Sequence, residues 1–188
     1  MPEHYITRIA ANYPEQLGYP GALCVSGLIW GDAGGAADLV IFPTSGTVRV
    51  AIVEAKRAHA DAFGGRNPQA HAHVVGQLLK YYARALSLGT KGVQAVTSEL
   101  RARGKRRYRR LSLRQIVQAS NGNAAREILT AGRPLKPEEI RLHILINRST
   151  DALERRLPLI CQVLQRHHRL PIRVWSVVRH TRKLKRVC

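Results

Sequence analysis

Three apolar runs open the chain, each stopped by turn-forming residues. ALCVSGLIW (22–30) ends at Gly31-Asp32 and Gly34-Gly35, and ADLVIF (37–42) ends at Pro43 and Thr44-Ser45-Gly46. VRVAIVEAK (48–56) is rich in β-branched residues, which favours strand over helix. The short turns between them predict an antiparallel meander. VVGQLLKYYARALSL (74–88) changes period: its apolar positions recur at helical spacing. It follows a Gly- and His-containing stretch, 59–73, that reads as a loop.

Past Gly89 the pattern loosens. Residues 91–140 are polar and basic, with short helices expected near 94–103, 112–119 and 124–131, and they read as an insertion. Order returns with RLHILIN (141–147), a predicted strand. Ser149, Thr150 and Asp151 offer caps to a helix that runs to about His167 and bends at Pro158. IRVWSVV (172–178) is the last predicted strand. Strand, helix and strand in succession form a crossover, which calls for parallel pairing and a right-handed connection. The expected fold class is α/β, more strictly α+β: one domain over 1–188 with a mixed central sheet of about five strands flanked by helices. In that reading 91–140 is a basic, mostly helical insertion, and 141–188 completes the core.

Two apolar runs carry charge at their ends. Asp38 heads the second strand, and Glu54, Ala55 and Lys56 close the third. Side chains alternate along a strand, so Glu54 and Lys56 share a face while Ala55 points away. Pairing the two strands through the Pro43–Gly46 turn brings Asp38 close to Glu54. Two carboxylates and an ammonium then lie at one edge of the hairpin. Carboxylates are hard oxygen ligands suited to Mg²⁺, which takes few protein ligands and keeps waters for a substrate phosphate. The Ala55 carbonyl is a candidate third ligand, and Lys56 a candidate to orient the attacking water. The plain alternative is a Glu54–Lys56 surface salt bridge, since Glu-x-Lys is a common pattern. Asp32 rivals Asp38, but a Gly-flanked turn is a common place for Asp.

On the following helix Gln77 and Tyr81 stand four residues apart, and so on one face. Asp38, Glu54-Ala55-Lys56 and Gln77-x-x-x-Tyr81 together resemble the PD-(D/E)XK nuclease superfamily, with Gln-x-x-x-Tyr nearest its RecB-like branch. The motifs span roughly 20–90, and 141–178 follows the family by element order. The resemblance implies a restriction-endonuclease-like core and phosphodiester hydrolysis dependent on Mg²⁺ (or Mn²⁺). It implies metal ligands at Asp38 and Glu54, a water-positioning lysine at Lys56, and positioning roles for Gln77 and Tyr81. The family's proline before the aspartate is Ala37 here. The acid or histidine that many members carry on an N-terminal helix has candidates in Glu3, His4 and Glu15, with Glu15 preferred.

Charge agrees with an anionic substrate. Lys and Arg number 31 against 12 Asp and Glu, a formal net of +19 that a polyanion would neutralise. It falls in two patches. RARGKRRYRR (101–110) holds seven basic residues in ten: Arg101, Arg103, Lys105, Arg106, Arg107, Arg109 and Arg110. Tyr108 among them is a candidate for base stacking. The tail from Arg166 to Cys188 has eight Lys or Arg and no acid, with Arg182, Lys183, Lys185 and Arg186 at its end. The plain alternative for the first patch is a solvated basic loop.

Cys24, Cys161 and Cys188 are odd in number and widely spaced, which speaks against a disulfide framework, a zinc site or an iron–sulfur cluster. His59, His71 and His73 lack a fourth zinc ligand. No apolar run approaches the ~18 residues of a membrane span, and no signal peptide is evident, so a cytoplasmic protein with no membrane partner is expected. The expected activity is a metal-dependent deoxyribonuclease. Its rivals are a non-catalytic nucleic-acid-binding protein on the same fold and a dimeric endonuclease for branched DNA.

Overall fold

The computed structural model describes residues 3–30, 36–56, 69–89, 93–102, 105–112, 134–146, 159, 161–166, 169–178 and 181–188. Its centre is a mixed sheet of α+β class. The strands are β1 (Leu23–Trp30), β2 (Ala36–Phe42), β3 (Val50–Lys56), β4 (Val93–Ala102), β5 (Lys105–Ser112), β6 (Ile140–Ile146), β7 (Ile172–Val177) and β8 (Leu184–Arg186). They stand in the order β5-β4-β1-β2-β3-β6-β7-β8. β1, β2 and β3 form the expected antiparallel meander. β6 lies parallel to β3 and β7 parallel to β6, the pairing that a crossover demands. Two additions widen the sheet beyond five strands: a β4–β5 hairpin on β1 and the short β8 on β7.

β3 and β6 are buried on both faces, which is why they read as nearly unbroken apolar runs. Helix α2 (Gln69–Leu88) packs on one face, over Val40, Phe42, Ile52, Leu142 and Ile144. Helix α1 (Glu3–Asn12) and the short 3-10 helix Pro14–Leu17 pack on the other, where Ile6, Ile9 and Leu17 meet Leu39, Ile41, Val53 and Leu145. β2 and β3 are therefore the middle pair of a three-layer core, and a polar group on either is taken out of water.

Several expectations need correction. The helix expected near 94–103 is strand β4. Val93, Val96 and Leu100 fit a helical stripe, but their β-branched content and the free edge of β1 favour a ladder. The basic stretch 101–110 is thus part of a hairpin and not a loop, with Arg101 in β4 and Lys105, Arg106, Arg107, Tyr108, Arg109 and Arg110 in β5. Arg103, and the helices expected near 112–119 and 124–131, lie outside the described residues, apart from Ser112 at the end of β5. Residues 69–73, read as loop, are the first turn of α2. Of the helix expected to reach His167, residue 159 and residues 161–166 are described and helical. Cys161 and Cys188 form a disulfide, with Cα atoms 6.5 Å apart. Their separation of 27 residues hides that the helix at 161–166 returns beside the end of the β7–β8 hairpin. Among the described residues no helix is long and apolar enough to cross a membrane.

Candidate active site

The ladder between β2 and β3 pairs Leu39 with Val53, Val40 with Ile52 and Ile41 with Ala51. Extended one step, this register sets Asp38 opposite Glu54; extended twice, it sets Ala37 opposite Ala55. At that second step the Asp38 side chain replaces a backbone acceptor: the Ala55 N–H donates to Asp38 Oδ2 at 2.7 Å. In a strand the N–H and C=O of one residue lie on the same side, so the Ala55 carbonyl also faces the Asp38 side of β3. On the other flank of β2, Gly27 stands between Ser26 and Leu28, which pair with Leu39 and Ala37. Gly27 adopts φ +68, a left-handed conformation that favours glycine, where the ladder passes Asp38.

Glu54 shares the α2 face with Ile52 and is only 2% exposed. Its Oε1 accepts from Lys56 Nζ at 2.8 Å, whereas its Oε2 is buried with no hydrogen bond. Burial, and then the neighbouring Asp38 carboxylate, push the Glu54 carboxyl up to about 7, against the opposing pull of Lys56. A carboxylate held in this way is an acceptor set for a cation. Tyr81, buried on α2, lies within the field of both acids; burial, aided by those charges, lifts its hydroxyl to about 12 and keeps it a proton donor. Gln77, one turn earlier, has a buried Oε1 that makes no hydrogen bond.

The structure therefore brings Asp38, Glu54, Ala55, Lys56 and Tyr81 together, with Gln77 on the helix alongside. Glu15 is not brought there: it is exposed on the Pro14–Leu17 helix, across the sheet, and its charge acts on Cys24. Glu3 begins α1, on that same far face, and Asp32 and His59 lie outside the described residues. His71 and His73 fall within α2. Among the described residues no group of three or more His, Cys, Asp or Glu side chains stands ready to hold a metal. Two carboxylates and one backbone carbonyl nevertheless suit Mg²⁺, which binds through one or two carboxylates and retains water. The unpaired Glu54 Oε2 fits that use. Arg182, Lys183, Lys185 and Arg186 are exposed on and before β8.

Comparison of the chain with protein-family models, curated proteins and solved structures finds no match.

Glu54 gives the site a signature in stability. The folded protein holds a proton on Glu54 up to about pH 7, while the unfolded chain releases it near 4.5. Its contribution is therefore fully present below pH 4.5 and lost as pH rises through 7, on the order of 1–3 kcal/mol. His143, buried and held down to about 3, acts with the opposite sign below pH 6.5, so the wild-type profile alone does not isolate Glu54. The difference between wild type and Glu54→Gln does. Urea unfolding without metal should show Glu54→Gln gaining on wild type from pH 5 to pH 8. Parallel profiles for the two proteins would refute the buried carboxylate.

Proposed function

We propose that this chain is a metal-dependent deoxyribonuclease built on a restriction-endonuclease-like core. The observation that carries the reading is Glu54: a carboxylate in the core, facing Asp38 and leaving one oxygen unpaired. Structural ion pairs seldom leave a buried oxygen without a partner, because that oxygen forfeits its hydration for nothing. Resemblance to the PD-(D/E)XK superfamily supports the same assignment, as does a formal charge of +19.

Asp38, Glu54 and the Ala55 carbonyl would hold Mg²⁺ or Mn²⁺, which when bound supplies Lewis-acid stabilisation of the phosphate and a water of lowered pKa. Lys56, tied to Glu54 Oε1, is fixed at the mouth of the site with part of its side chain exposed. It can orient the attacking water and face the charge that develops on the phosphate oxygens. Tyr81 remains protonated and able to donate, and Gln77 can fix the substrate or Lys56. Basic strands lie at both sheet edges, with β2 and β3 fourth and fifth of eight. At about 4.8 Å per strand, each edge is roughly 14–20 Å away, within the width of a duplex.

The direct test is cleavage of linear duplex, single-stranded, flapped and four-way DNA with Mg²⁺, Mn²⁺ or chelator. Metal-dependent cutting of at least one is expected. A second reading is a DNA-binding protein without turnover, and among the described residues no third acid joins Asp38 and Glu54. Tight, salt-sensitive binding with no cleavage on any substrate would establish that reading.

A further inference from the structure

A second polar cluster lies on the opposite face of the sheet, beneath the α1 layer, where nothing in the nuclease reading uses it. His143 is fully buried in β6. Trp175 Nε1–H donates to its Nδ1 at 2.8 Å, and its Nε2 lies 2.9 Å from the Tyr19 hydroxyl. An indole N–H can only donate, so Nδ1 is the acceptor and the neutral ring carries its proton on Nε2. Burial and the charges of Arg173, Arg141 and Arg186 keep that ring neutral. Nε2 therefore donates to Tyr19 Oη, and the positive charges of Arg141 and Arg173 act on that hydroxyl. With His143 donating to Oη, the Tyr19 O–H proton is directed away from the ring, and it has no hydrogen-bond acceptor among the described residues.

The arginines repeat the imbalance. Arg141 on β6 and Arg173 on β7 are half-buried, and Arg141 Nε is buried without a partner. Arg186 on β8 is exposed, and its Nε donates to the Cys188 carbonyl. Among the described residues none of the three pairs with an Asp or Glu side chain. The register sets His143 beside Arg173 and Trp175 beside Arg186, so the group spans three adjacent strands. The Tyr19 hydroxyl proton, the unpartnered Arg141 Nε and the Arg173 guanidinium thus share one face of the sheet. That pattern suits a tetrahedral, multi-oxygen anion better than a single carboxylate.

We propose that Tyr19, Arg141 and Arg173, with Arg186 at the rim, bind a phosphate group on the α1 face of the sheet, across the sheet from Glu54. The Trp175–His143–Tyr19 chain sets the direction of the phenol proton, and the arginines neutralise the charge. The phosphate is either a link in a nucleic-acid backbone or a free phosphate such as a mononucleotide carries. This site is independent of the metal-site reading, because it shares no residue with it.

The test is calorimetric titration of the full chain in chelator with orthophosphate, and separately with a thymidine oligonucleotide lacking a terminal phosphate. Orthophosphate should saturate a site, and Arg173→Gln should weaken it roughly tenfold, the loss of one charge-assisted hydrogen bond. Tyr19→Phe should weaken it severalfold, and Glu54→Gln should leave it unchanged whether or not the protein proves to be a nuclease. If Arg173→Gln also weakens the oligonucleotide and lowers its salt slope by about one, the ligand is backbone phosphate. If only orthophosphate is affected, the ligand is a free phosphate. Should Tyr19→Phe fail to fold, Arg173→Gln decides alone, since its side chain is partly in solvent. Absence of saturable orthophosphate binding, or binding indifferent to Arg173→Gln, would overturn the assignment.

Discussion

Glu54→Gln and Asp38→Asn should each reduce metal-dependent DNA cleavage by more than about 100-fold while the chain stays folded and still binds DNA. Loss of a residue that merely supports a metal ligand costs roughly 10–100-fold, and loss of the ligand itself exceeds that. The two variants fail by different routes. Glutamine preserves the volume of Glu54 but removes the charge, so the metal-free protein gains stability above pH 7 as it loses activity. Asparagine at 38 keeps an oxygen for the Ala55 N–H, now bonded at 2.7 Å, so the end of the ladder survives while the second anionic ligand is lost. Lys56→Met should lower kcat and leave metal-induced stabilisation in place, because it removes the ammonium and keeps both carboxylates. Cleavage surviving both Glu54→Gln and Asp38→Asn would place the chemistry elsewhere. A single-turnover assay read alongside thermal unfolding separates lost chemistry from lost fold.

The convergence of Asp38, Glu54 and Lys56 was legible because it rests on two local rules. Strand side chains alternate, and a short turn makes its flanking strands antiparallel neighbours. Once VRVAIVEAK and ADLVIF pair, Asp38 can hardly avoid Glu54. The burial of Glu54 was not legible from the strand itself, since it arises when α2 covers that face and β6 pairs alongside. The β4–β5 hairpin was hidden by Val93, Val96 and Leu100, which satisfy a helical period as well as a strand, and only the open edge of β1 decides between them. Arg103-Gly104 was the missed clue: two residues ending in glycine between segments that pair from Ala102 and Lys105. α1 went unassigned because its apolar face is short, and β8 because three residues carry no period. The Trp175–His143–Tyr19 chain had no local signal at all. Its members come from the loop before β1, from β6 and from β7, and only the sheet order makes them neighbours.

Replacing Arg106, Arg107, Arg109 and Arg110 together with glutamine should weaken DNA binding by at least about 100-fold at about 50 mM salt, and should lower the salt slope by about 3–4. These residues lie on β5, which among the described residues is an outermost strand of the sheet and pairs with β4 alone. A second explanation for charge at that position has to be tested against the first. Edge strands carry Lys and Arg to prevent pairing with another chain, and four arginines serve that purpose without any nucleic acid. The two explanations part on measurable ground. If the arginines only guard the edge, the glutamine variant self-associates at high concentration while its DNA affinity at low concentration is unchanged. If they hold phosphate, affinity falls at low concentration, KM for cleavage rises, and kcat at saturating DNA stays near wild type, because Glu54 and Lys56 are untouched. Substituting Lys183 and Lys185 at the opposite edge should lower the slope by no more than about two. A variant of both edges should show the sum, since the edges lie about 34 Å apart at the usual strand spacing and share no neighbour. A single duplex gripped at both edges must cross the middle of the sheet, where Asp38 and Glu54 face each other.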